Sequence, residues 1–98
     1  MIYDKIKMLR ENARISQSEL ARKLDVTRSS VNAWEMGLST PTTHYVVEIA
    51  KLFHVSTDYL LGLDKETTLV LDGYSYNEIE LIYSLLKYFD EHKREDNK

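Results

Sequence analysis

Apolar residues recur along the chain at helical spacing in short bursts, and each burst is bracketed by a residue that can start or stop a helix. Ile2, Ile6 and Leu9 lie four and three apart with Lys5, Lys7 and Arg10 elsewhere, which predicts an amphipathic helix from residue 2 to about 12. Asn12 to Ile15 ends it. Ser16, with Glu19 three residues on, makes a Ser-x-x-Glu capping box that opens the next helix. Leu20, Ala21 and Leu24 give that second helix its stripe, and Val31 and Trp34 give one to a third, from Arg28 to about Met36. Asp25-Val26 lies between them, Thr27 is the N-cap of the third helix, and Gly37 is its left-handed stop. Thr40 can cap a fourth helix with Pro41 at its first position, and Val46, Val47, Ile49, Ala50 and Phe53 supply a broad inward face. Val55 to Gly62 reads as a cap followed by a short fifth helix that the glycine ends.

Beyond Gly62 the pattern changes. Leu63 to Glu66 is a polar connector, and Thr67 to Leu71 is rich in residues that favour strands. A lone strand leaves backbone groups unpaired, so pairing across a dimer two-fold is expected; the alternative is an extended linker that packs Leu69 or Leu71 on the domain. Asp72-Gly73 marks a turn, and Ser75 with Glu78 forms a second capping box at the head of a long helix from about Tyr76 to Lys93. Ile79, Ile82, Tyr83, Leu86 and Phe89 form one stripe on it, and Leu81, Leu85 and Tyr88 form another beside the first. That surface is too wide for one small domain to cover. Crossed or antiparallel packing against the same helix of a second subunit is expected, with Leu69, Val70, Leu71, Ile79, Ile82, Tyr83, Leu86 and Phe89 at the interface. The charged end, 91–98, is expected to fray.

The stretch from Gln17 to Met36 is the organising unit. Two helices meeting at a steep angle need a small residue at the crossing, which Ala21 supplies, and Val26 is placed to plug the corner beneath the turn. Arg28, Ser29, Asn32, Ala33 and Met36 fall on the outward face of the second of these helices. Arginine can pair with the two acceptors of guanine, asparagine with adenine, and the Ala33 methyl can meet a thymine methyl; Ser29 is non-committal. With Ser16-Gln17, Leu20-Ala21, Val26, Val31 and Trp34-Glu35-x-Gly37 in this order and spacing, the segment resembles the helix-turn-helix of the lambda/434 repressor and Cro-like (XRE-type) regulators, over roughly Ile2 to Gly62. Asp25 stands where that family often has glycine, a departure aspartate tolerates because it accepts a left-handed backbone.

The resemblance implies a five-helix lambda-repressor-like head, 1–62; with the tail read above, a linker, a short strand and a C-terminal dimerisation helix over 63–98, the chain is expected to be all-α. It implies that Gln17 contacts DNA backbone and braces the recognition helix, and that Arg10 and Glu35 form a structural ion pair. Because it is expected to be only partly shielded, that pair should be worth little more than a surface one and should leave part of the guanidinium facing phosphate. Ser16, Lys23 and Thr27 are further backbone candidates. So are Thr42, Thr43 and His44, whose hydroxyls, imidazole and free amides lie near the start of the fourth helix.

Composition changes this picture little. Ninety-eight residues, 43% hydrophobic and 30% charged, suit one small globular domain with an appendage. No apolar run approaches the ~18–20 residues of a membrane span, and Asp4 interrupts the short apolar start, so no signal segment is expected and the default location is the cytoplasm. The absence of cysteine excludes disulfides and thiolate metal sites. The net charge of −3 divides unevenly: residues 1–62 carry eight Lys/Arg against seven Asp/Glu, whereas 63–98 carry five against nine. Phosphate binding needs a local basic surface and not a basic total.

No catalytic constellation is evident: His44, His54 and His92 are far apart, His44 with Glu48 reads as a surface pair, and three scattered glycines make no phosphate loop. The expectation is a homodimeric, non-enzymatic repressor, without metal or cofactor, that reads an inverted-repeat operator in double-stranded DNA. An antirepressor or other protein is a possible further partner. The rival expectation is an antitoxin-like or accessory module whose C-terminal helix binds a different protein.

Overall fold

The computed structural model describes residues 1–65 and 68–93, so the expected start of a strand at Thr67 and the charged end from 94 onward lie outside the described residues. Six helices follow in order: α1 (Ile2–Asn12), α2 (Gln17–Leu24), α3 (Arg28–Glu35), α4 (Thr43–Phe53), α5 (Thr57–Leu61) and α6 (Tyr76–Glu91). The first five pack together, α2 on α3 and α4, α1 on α3 and α5, and α4 on α5. Their shared core holds Ile6, Leu20, Ala21, Val31, Trp34, Val46, Ile49, Ala50, Val55, Tyr59 and Leu60. Ile6, Leu20, Val31, Ile49 and Leu60 are fully buried, each contributing on the order of 1.5–3 kcal/mol by leaving water. Trp34 is one of these core residues, its ring tilted at 42° against Tyr45 with centroids 5.6 Å apart.

Helix starts follow the local code. Ser16, Thr27, Ser56 and Ser75 have extended backbones, and their hydroxyls accept from the amides of Glu19, Ser30, Tyr59 and Glu78. Only Ser75 and Glu78 complete the reciprocal box, in which the Glu78 carboxylate accepts the Ser75 amide at 2.8 Å. At Ser16 the structure forms the serine half alone. The fourth helix also departs from expectation. It begins at Thr43 with Thr42 as N-cap, φ −66° and ψ 166°, and not at Pro41 with Thr40 as cap. Pro41 is buried, and the chain stays extended until that ring is packed.

The ends of α1 to α5 share one geometry. After α3, the Gly37 amide donates to the Trp34 carbonyl and the Leu38 amide to that of Ala33, with Gly37 at φ +73°. The same double closure occurs around Gly62 at φ +81°. It recurs around three residues that carry a Cβ: Arg14 at φ 58°, Asp25 at φ 57° and His54 at φ 57°.

No strand occurs among the described residues, and 68–71, the described part of the expected strand, meets the end of α4 within the chain. The Val70 amide donates to the His54 carbonyl at 2.8 Å. That carbonyl is left without an intrahelical partner by the end of α4, and an extended segment with unpaired amides is its natural complement. Leu69 is 56% exposed and does not pack on the head, whereas Leu71 is half-buried. Past the turn at Gly73, α6 runs without burying any residue.

Candidate nucleic-acid interface

The α2–α3 unit is shaped by its turn. Asp25 in the left-handed region ends α2, the Val26 amide returns to the Ala21 carbonyl at 2.9 Å, and Thr27 starts α3 two residues after the stop. Ala21, 3% exposed, lets the two helices approach. Thr27 and Ser30 add a hydroxyl pair at 2.9 Å that stiffens the first turn of α3. Val31, Trp34 and Glu35 face inward, leaving Arg28, Ser29 and Asn32 exposed and Ala33 half-exposed along the opposite side, with Met36 beyond them.

Polar side chains tie this strip to its surroundings. Gln17, in the first turn of α2, donates from Nε2 to Asn32 Oδ1 at 3.3 Å and to Glu35 Oε1 at 3.1 Å. Arg10 reaches Glu35 from α1 with two parallel bonds, Nε to Oε2 at 2.6 Å and Nη2 to Oε1 at 3.0 Å. Its remaining nitrogen donates to the Ile15 carbonyl at 2.9 Å. The side chains of Arg10 and Glu35 are only 12% and 3% exposed. This corrects the expectation of a weak, partly shielded pair: α1 packs closely on α3, and the bridge lies within that contact. Burial pushes the Glu35 carboxyl up, but the bonds from Arg10 and Gln17 and the positive charges of Arg10 and Lys7 outweigh it and hold the group below the ordinary carboxylate range. The bond to Glu35 raises Arg10 in turn, against the opposing effect of burial.

The other expected contacts divide. Ser16 and Gln17 open α2, and Thr27 opens α3 next to Arg28. Thr42, Thr43 and His44 are exposed at the start of α4, and the Thr42 hydroxyl makes no bond to its own helix, so it and the first amides point outward. Lys23 stands apart, six residues along α2 from Gln17 and turned about 120° around it, in a groove it shares with Glu48, Lys51 and Leu52. Lys5 lies 5.0 Å over the ring of Tyr59, covering the α1–α5 contact. That Gln17 braces α3 is expected from the resemblance, but its two partners, Asn32 and Glu35, and the bond from Arg10 to Ile15 are not. The partners could have been found by placing Gln17, Asn32 and Glu35 on facing helix ends, whereas the bond depends on the left-handed bend at Arg14 that turns the Ile15 carbonyl back.

Among the described residues, no group of three or more His, Asp or Glu is arranged to hold a metal ion, and no helix is long and apolar enough to cross a membrane.

Comparison with known proteins agrees with this geometry. The HTH_3 helix-turn-helix family matches residues 6–60. The HTH-type transcriptional regulator ImmR of Bacillus subtilis is 34% identical over 61 residues, which is 62% of this chain and 48% of ImmR. The chain spans about half the length of the curated relatives it matches. Among solved structures, the P22 c2 repressor protein in complex with a synthetic operator superposes with a TM-score of 0.61 at 25% identity, covering 65% of this chain and 97% of the repressor chain. A chain of the SinR protein/SinI protein complex superposes with a TM-score of 0.58 at 25% identity, covering 94% of this chain and all of the other. The chain belongs to the HTH_3 (XRE/Cro-lambda-like) family of helix-turn-helix transcriptional regulators, a family of regulators and not of enzymes.

Proposed function

We propose that the chain is a sequence-specific regulator that reads double-stranded DNA with α3 in the major groove and acts as a homodimer on an inverted-repeat operator. The observation that carries this reading is Gln17, which holds Asn32 from the start of α2 while Glu35 anchors the same brace beneath it. A solvated helix face has no need of such a brace. A base-reading side chain does, because fixing its rotamer before binding lowers the entropy lost on contact. Arg28 and Asn32 are the principal readers, with Ser29 and Ala33 beside them. Ser16, Gln17, Thr27, Thr42, Thr43 and His44 take backbone phosphates. Arg10 serves chiefly by fixing Glu35, and Lys23, beside Glu48, is the weakest of the expected phosphate contacts.

Dimerisation falls to the tail. On α6, Leu81, Tyr83, Leu85, Leu86, Tyr88 and Phe89 are each about half exposed or more, an apolar surface that water disfavours and a second α6 would cover. Half-sites would then lie about one helical turn apart, roughly 34–36 Å, or a multiple of it. Repression follows sterically where the operator overlaps a promoter. Residues 1–62 act as the reading head and 63–98 as the assembly segment. A second reading, in which α6 takes a different protein, draws on the likeness to the SinR protein/SinI protein complex over nearly the whole chain.

The test is selection of duplexes from a random library by the full chain, with light scattering in parallel. A palindromic consensus and a dimeric mass are expected. Duplexes recovered without sequence preference, or a stable monomer, would overturn the respective halves of the reading.

A further inference from the structure

We infer that the contact between His54 and Tyr74 sets the spacing at which two heads engage DNA, making this pair a positioning element for operator choice. The inference rests on the dimeric reading above. If α6 pairs with its counterpart, the placement of each head depends on how residues 63–75 are fixed to it, because α6 buries no residue of its own. Among the described residues, the Leu63 and Asp64 amides bind the Asp58 carbonyl at the start of the linker, and His54 gathers the contacts nearest α6. The Val70 amide binds the His54 carbonyl at 2.8 Å, the Tyr74 hydroxyl lies 2.7 Å from His54 Nε2, and the two rings are tilted at 45° with centroids 5.0 Å apart. Val70 and Asp72 face Val47, Ala50, Lys51 and Val55 across a cavity of about 400 Å³, so the linker spans a gap instead of sitting on a filled core.

His54 suits this role through its backbone. Its left-handed conformation at the end of α4 turns both its carbonyl and its ring toward the returning linker, so one residue supplies all three of these ties. One base pair of added spacing rotates a half-site by about 34° and moves it by about 3.4 Å along the duplex. A stiff joint cannot follow that change, whereas a loosened joint can.

The experiment uses the full chain and its Tyr74→Phe and His54→Asn variants. Phenylalanine keeps the ring and loses the hydroxyl. Asparagine tolerates the left-handed backbone and cannot reach Tyr74. The probes are duplexes built from the half-site that the unaltered protein selects, arranged as inverted repeats with spacers one base pair shorter and longer than the selected one. The expected result is that affinity for a single half-site and the dimeric mass stay unchanged in both variants. The preference for the selected spacing over its neighbours falls roughly fivefold, the weight of one net hydrogen bond. Spacing preference unchanged in both variants would overturn the inference while leaving the dimeric reading intact. An unaltered protein that is monomeric, or that selects no duplex, would overturn both.

Discussion

Arg10 and Glu35 form a two-bond bridge between α1 and α3 at 2.6 and 3.0 Å, buried beneath the strip that carries Asn32. A buried ion pair need not stabilise relative to apolar packing, but removing one partner strands the other. Glu35 is the more deeply enclosed, so Arg10→Ala is the harsher change. It should cost about 3–5 kcal/mol of unfolding free energy, whereas Glu35→Gln, which leaves Arg10 its Ile15 carbonyl and some water, should cost distinctly less. Urea denaturation of the two variants orders them; equal losses would show that the bridge is not closed to water.

The same bridge predicts an acid dependence. The Glu35 carboxyl titrates lower in the folded chain than in the unfolded one, so its contribution to stability is fully present above the unfolded carboxylate value, about 4.3, and is lost as pH falls through the lower folded value. Unfolding free energy measured from pH 6 downward should therefore fall more steeply below about pH 4 in the unaltered chain than in Glu35→Gln. Parallel profiles would mean that other carboxylates carry the acid sensitivity.

Gln17 and Arg28 separate bracing from reading. Arg28→Ala should relax sequence preference at one operator position at a cost of about 1–3 kcal/mol in binding. Gln17→Ala leaves Asn32 in place but frees its side chain and removes a phosphate contact, so preference should weaken at the Asn32 position on top of a uniform loss of affinity, while Arg10 keeps Glu35 paired. Lys23→Ala, beside Glu48 and Lys51, should leave both affinity and preference nearly unchanged. A uniform loss of affinity in Lys23→Ala would restore it to the phosphate contacts.

How far the sequence reveals this molecule depends on the reach of each signal. Ser16, Thr27, Ser56 and Ser75 act on amides three residues away, so their roles are legible locally. Pro41 is ambiguous in the sequence because its fixed φ suits a first helical turn and a loop equally; in the structure it lies buried in the loop before α4. The segment 68–71 has strand-forming side chains, yet strand preference is a preference for a partner, and within the single chain one of its amides, that of Val70, meets the carbonyl at the end of α4. The exposure of Arg28 and Asn32, the proposed readers, on one face of α3 follows from motif spacing. The depth of Arg10–Glu35 does not, because it depends on how closely α1 meets α3, a distance that no local pattern encodes. Nothing in Arg14 or His54 announces a left-handed residue; the geometry of the helix end imposes it.

That imposition gives a stability prediction. A left-handed backbone costs a residue with a Cβ about 1–2 kcal/mol, and glycine returns part of the gain through its freer unfolded chain. Arg14 is exposed at such a position. Arg14→Gly should raise unfolding free energy by about 0.5–1 kcal/mol, and Asp25→Gly by less, since aspartate already accepts this conformation. Calorimetric melting of both variants checks the order.

The tail and the head should fail independently. Leu86 and Phe89 are 49% and 55% exposed in one chain, so neither is part of the core that holds α1 to α5 together. Replacing both with glutamate removes an apolar face from α6 without touching Ile6, Leu20 or Ile49. The expected outcome is a monomer by light scattering whose head melts at nearly the original temperature and whose affinity for a full inverted repeat drops to that for a single half-site. If melting falls together with assembly, α6 pairing contributes to the fold itself. If the doubly substituted chain stays dimeric, the interface lies elsewhere than on α6.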